Sequence, residues 1–139
     1  MKEIVLLFLL ILTIGCHKPK VGYLITDNAL YLPAVMEIRL TLEEEKDAYR
    51  MQNIAPWVSP KIQGVIGTPP IYYEIHSVSS PNSDDTVQFK QLLTIRGGGR
   101  MEFPLVHNVK PGLYEISIRV FNEDHSQLLN KIFSYEVKP

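Results

Sequence analysis

Any chemistry in this chain would have to come from a small set of side chains. Four histidines, His17, His76, His107 and His125, are spread along 139 residues. A metal site needs ligands that converge at usable spacing, and this scatter argues against zinc. Calcium takes oxygen ligands on loops. Glu123 and Asp124, beside Asn122, are the calcium candidates, with Asp84 and Asp85 in a second loop. No EF-hand spacing accompanies them, and acidic turns of this kind are commonly just solvated. Glycoside hydrolysis needs two carboxylates across a cleft. The dense run Glu43, Glu44, Glu45 and Asp47 reads instead as a solvated face. No G-x-S-x-G elbow is present. The run Arg96-Gly-Gly-Gly-Arg100 lacks the Gly-Lys-Ser/Thr ending of a phosphate loop and suits the positive φ angles of a tight hairpin. The expectation is a protein without catalytic residues or cofactor, and not an enzyme.

Binding is the remaining chemistry, and aromatic side chains would carry it. Trp57 is the one tryptophan and sits in "APWVSP" between Pro56 and Pro60. On an exposed rigid loop its face could stack on a sugar ring; over the open end of a core it would be a plug. Both readings stand, with the plug favoured. Tyr72 and Tyr73 are neighbours in an extended stretch, so they must face opposite sides. One is core and the other is available for contact. Trp57, Tyr72 and Tyr73 are therefore the candidate ligand-binding residues. A shared exposed platform would favour sugar binding, and wholly buried aromatics would favour a scaffold.

Cys16 is the only cysteine and follows an uncharged, mostly apolar run, Ile4 to Ile14. A membrane-spanning helix needs about 20 apolar residues. This run is about half that and has the length of the h-region of a secretory signal peptide. Gly15 places a small residue just before the thiol. The arrangement resembles the lipobox of bacterial lipoproteins, with Thr13 where that pattern usually carries leucine. The resemblance implies that residues 1–15 are a cleaved signal peptide and that Cys16 is acylated, by palmitate-type chains among others. The protein would then be held at a bacterial outer membrane, on a face that the basic stretch Lys18-Pro19-Lys20 does not identify. A single cysteine also leaves no intramolecular disulfide.

Residues 16–139 suffice for one domain with a core, and the formal net charge of −1 offers no footprint for nucleic acid. The elements that must position the aromatics read mostly as strands. Met36–Leu40 alternates, Ile71–Val78 is rich in β-branched and aromatic residues, and Phe89–Ile95 reads as a third strand. Met101–Val106 is a fourth, with Pro104 suggesting an edge or bulge. Leu113–Phe121 alternates most clearly, with Tyr114, Ile116, Ile118 and Val120 on one side. Ile132–Val137 closes the chain. Leu42–Gln52 fits either a helix or a loop. This spacing predicts an all-β, antiparallel β-sandwich.

"VKPGLYEISIRVFNEDHSQLLNKIFSYEV", residues 109–137, resembles the last two strands of bacterial immunoglobulin-like, cadherin-like and PKD-like domains, and "GVIGTPPIYYEI", residues 64–75, their entry into a central strand. With the lipobox, the chain is similar to small cell-envelope lipoproteins of Bacteroides-type glycan-utilisation loci. The resemblance implies a signal peptide over 1–15, a lipidated tether and N-terminal segment over 16–33, and an immunoglobulin-like sandwich over 34–139. It further implies an accessory, adhesin-like or carbohydrate-binding module whose partners are the membrane, through Cys16, and a glycan or an outer-membrane protein. The alternative is a spacer or assembly component with no small ligand.

Overall fold

The computed structural model describes residues 1–12, 15 and 18–139. In chain order the elements begin with α1 (Lys2–Leu12), β1 (Leu24–Ile25), β2 (Val35–Arg39), α2 (Glu44–Asn53), β3 (Trp57–Val58) and β4 (Ile66–Gly67). They continue with β5 (Tyr72–Ser79), α3 (Thr86–Leu92), β6 (Thr94–Ile95), a single 3-10 turn at Gly97–Gly99, β7 (Met101–Phe103), β8 (Gly112–Phe121) and β9 (Ser126–Lys138). Thr13 and Cys16, on which the lipobox reading rests, lie outside the described residues, as does His17.

The alternation in β8 organises the fold. Tyr114, Ile116, Ile118 and Val120 are fully buried, while Glu115, Arg119 and Phe121 between and beyond them are only partly covered. Burying each such apolar side chain is worth about 1.5–3 kcal/mol, so sliding the strand by one residue would exchange that face for charges. β8 pairs antiparallel with β9 and with β5, and β2 adds in parallel to β9, giving the order β2-β9-β8-β5. A second sheet, β3-β7-β6, is antiparallel throughout. Its Met101 and Phe103 are fully buried, and the Phe103 ring lies 6.1 Å from that of Tyr135 in the first sheet. The result is the expected β-sandwich, antiparallel save for the β2–β9 pair.

Phe89 seals the two layers. Its ring stacks at 4.3 Å on Phe103 of one sheet and at 4.3 Å on Tyr114 of the other. It stands on α3, and this corrects the expectation of a strand over Phe89–Ile95: only Thr94–Ile95 is extended. Phe89 and Leu93, one helical turn apart, are both buried, and Lys90 Nζ donates to the His76 carbonyl at 2.8 Å, fastening the helix to β5. The helix brings these two large side chains within about 6 Å of each other along its axis, where a strand would set them about 13 Å apart.

The glycine run behaves as its composition suggests. β6 and β7 form a hairpin around Gly97–Gly99, where Gly98 and Gly99 have φ of 74° and 70°. The region 42–52, open between helix and loop, is helical, and Asp47 on α2 is fully buried against Arg39 of β2.

Part of the N-terminal segment within 16–33 packs with the sandwich. Leu24 and Tyr31 belong to the core, and the Tyr31 hydroxyl donates to the Gly99 carbonyl. β1 pairs with β4 as a two-stranded ribbon. The folded body therefore begins near Val21 and not at residue 34, because the core needs these side chains to close its flank.

Candidate functional site

β5 and β8 lie side by side with Tyr72 directly opposite Phe121. Both point to the outer face of the sheet, and their rings sit 5.4 Å apart at a 30° tilt. Tyr72 is 51% exposed. Arg119, two residues before Phe121 and so on the same face, places its guanidinium carbon 4.0 Å from the centre of the Phe121 ring. It is held there by Glu74, which accepts a hydrogen bond from Arg119 Nε at 2.5 Å. That bond also keeps the Glu74 carboxyl below the ordinary carboxylate range.

Around this pair opens a groove of about 780 Å³. Its floor is Tyr72, Phe121 and Arg119; its rim is Lys20, Pro70 and the β8–β9 turn from Asn122 to Ser126. The turn is rigid for a definite reason. Asn122 is buried, its Nδ2 donates to the carbonyls of Tyr23 and Thr68, and its Oδ1 accepts the His125 N–H. The groove thus combines apolar aromatic faces with carboxylate, guanidinium, ammonium and imidazole groups at its edges. Such a surface can stack on a flat apolar ring face and hydrogen-bond its periphery.

The other candidates fall elsewhere. Trp57 is buried, 2% exposed, so it offers no face to a sugar and fills the plug role. Guanidiniums of Arg50 and Arg39 lie 4.4 and 5.4 Å from its ring centre. Tyr73 turns inward, as alternation requires, and packs against the core; burial raises its phenol pKa. Trp57 therefore makes no exposed platform with Tyr72 or Tyr73, and of the three candidates Tyr72 alone is exposed. Glu123 is exposed in the turn, while Asp124 Oδ2 accepts the Val21 N–H at 2.6 Å. Asp84 pairs with Lys110 Nζ at 3.0 Å, and Asp85 Oδ2 accepts the Lys110 backbone N–H at 2.9 Å. Among the described residues no three His, Cys, Asp or Glu side chains group to hold a metal ion, and no helix is long and apolar enough to cross a membrane.

Sequence reasoning missed Phe121 and Arg119 as site residues. The signal for Phe121 was present, since the outward series Glu115, Ser117, Arg119 ends on it. Its pairing with Tyr72 depends on a register between strands some fifty residues apart, which no local pattern encodes.

No protein-family model and no curated protein matches this chain. Among solved structures it is similar to a SusE-like surface located polysaccharide binding protein from the Bacteroides thetaiotaomicron heparin utilisation locus, at 13% identity and a TM-score of 0.42. The alignment covers 84% of this chain and 16% of that one, so the chain spans about a sixth of that protein's length. A likeness of this degree carries no weight for fold or function.

Proposed function

We propose that this chain is a non-enzymatic lipoprotein, anchored by acylated Cys16 to the outer membrane of a Bacteroides-type bacterium, that serves as an accessory module binding a glycan. The sandwich would be of the immunoglobulin-like kind, and the signal peptide would be residues 1–15. The binding face in this reading is the Tyr72–Phe121 groove. One observation carries it: Tyr72, half exposed and fixed by strand register beside the partly covered, Arg119-capped ring of Phe121, opens to solvent among polar groups. Leu128, directly paired with Arg119 and 44% exposed, adds a further apolar side chain beside them. Of the carboxylates nearby, Glu74 is engaged by Arg119 and Asp124 by Val21, while Glu123 on the rim stays exposed.

The test is electrophoresis through gels cast with individual polysaccharides. One class should retard the protein. Tyr72→Ala should weaken that retardation about two- to tenfold, the loss of an aromatic stacking contact worth about 0.5–1.5 kcal/mol. No retardation by any polysaccharide would remove the glycan reading and leave a partner protein or a spacer role.

A further inference from the structure

The β8–β9 turn does a second thing: it seizes the chain where the tether ends. Asp124 Oδ2 accepts the Val21 N–H, His125 Nε2 lies 3.0 Å from the Gly22 carbonyl oxygen, and Asn122 Nδ2 donates to the Tyr23 carbonyl at 2.9 Å. From the other side, Tyr23 N–H donates to Thr68 Oγ1 at 3.1 Å and Thr68 N–H to the Tyr23 carbonyl at 3.0 Å. The path is therefore fixed from Val21 onward. Cys16 lies five residue steps before that point, at most about 3.6 Å each, so the acyl-bearing end reaches about 18 Å.

At this same end the β1–β4 ribbon turns an apolar face outward. Ile25 and Ile66 are directly paired across the ribbon, and Tyr23 lies two residues before Ile25 on the same side. They are 45%, 55% and 49% exposed, and Val21 beside them is 66% exposed. The tether leading to them carries exposed Lys18 and Lys20. Apolar side chains, an interfacial tyrosine and lysines are the set that settles at the boundary between acyl chains and anionic headgroups.

We propose that Tyr23, Ile25 and Ile66 dock onto the leaflet that holds the Cys16 lipid, so that the sandwich rests end-on against the membrane and does not swing on its tether. This rests on the anchoring part of the function proposed above. With Val21 held within about 18 Å of the lipid, this end of the body meets the bilayer before any other. Docking also places the Lys20 rim of the groove beside the membrane surface. Val106, 78% exposed, stands in the loop that leads into the opposite end of β8, a strand whose two ends are about 30 Å apart.

The test uses the full chain, processed by cells and reconstituted into vesicles of phosphatidylethanolamine and phosphatidylglycerol. Ile66→Cys and Val106→Cys are each labelled with an environment-sensitive fluorophore and quenched by spin-labelled lipid, with Ile25→Cys as a second reporter should Ile66→Cys fold poorly. The label at 66 should shift to the blue and quench severalfold more than the label at 106, and Ile25→Asp should abolish the difference. Acylated protein, verified by intact mass, that quenches equally at both positions overturns docking alone. A blue shift at 66 that grows with protein density, without lipid quenching, means a second copy covers the patch and also overturns it. An unacylated Cys16 overturns the anchoring and the docking together.

Discussion

Asp47→Asn isolates the contact that fixes α2 to the sandwich. The Asp47 carboxylate is fully buried and accepts from Arg39 Nε at 3.0 Å, from Arg39 Nη2 at 2.5 Å and from the Glu43 backbone N–H at 2.9 Å, with Arg50 Nη1 at 3.9 Å. Asparagine preserves the shape but offers one acceptor where two are used and removes the countercharge from Arg39. Breaking a buried ion pair on one side costs about 3–5 kcal/mol. Arg39 keeps Glu37 at 3.0 Å and its side chain is 13% exposed, so the lower figure, about 3 kcal/mol, applies. With a urea slope of about 2 kcal/mol/M, the midpoint should fall by about 1.5 M, followed by far-ultraviolet circular dichroism and by Trp57 emission. The effect should depend on pH with a definite sign. Hydrogen bonds from Arg39, against the opposing effect of burial, hold the Asp47 carboxyl below its ordinary value. Its contribution is therefore complete above about pH 5 and is lost as pH falls past the ordinary aspartate value and through the depressed one. The gap between wild type and variant should narrow from pH 5 toward pH 2. A difference below about 0.5 kcal/mol at pH 7, or one that stays constant into acid, would refute this account of the α2 contact.

Three further substitutions probe the core and its turns. The Tyr135 hydroxyl is buried without a hydrogen-bond partner among the described residues, so Tyr135→Phe should stabilise by about 1 kcal/mol, read as a raised urea midpoint. Both ring nitrogens of His107 are likewise buried and unpartnered, and burial lowers its pKa. The unfolded chain therefore binds that proton first, and stability drops as pH falls below the ordinary histidine value near 6.5. His107→Phe should flatten the stability profile between pH 7 and pH 5. Gly64 has φ of 76°, and an added Cβ would fall 2.0 Å from the Asn28 carbonyl oxygen. Gly64→Ala should therefore cost upward of about 1 kcal/mol, seen as a lower thermal midpoint.

How legible the molecule was depended on the range of the interaction. The inward faces of β8 and β9 follow from period-two patterning, and the turn at 122–125 from its polar composition. Tyr72 outward and Tyr73 inward follows from the same rule. α3 was not legible, because Val87 and Phe89 alternate as a strand would while Phe89 and Leu93 stand one helical turn apart; only the stacking of Phe89 between two sheets decides the matter. Trp57 could be read as exposed or buried because what covers it, Arg39 and Arg50, comes from β2 and α2. The groove was half visible: Tyr72 was singled out, but Phe121 and Arg119 join it only through the β5–β8 register. The place of the tether's end was hidden for a similar reason, since Asn122, Asp124 and His125 bind a segment about a hundred residues earlier in the chain.

The most direct test of the central reading is a nuclear magnetic resonance titration with the polysaccharide that retards the protein. Amide shifts should concentrate at residues 71–72 and 119–126, the Trp57 indole signal should stay fixed, and Tyr72→Ala should remove the response. Shifts centred on Trp57 and α2, or spread over the sandwich without a focus, would contradict the assignment of the ligand to this groove.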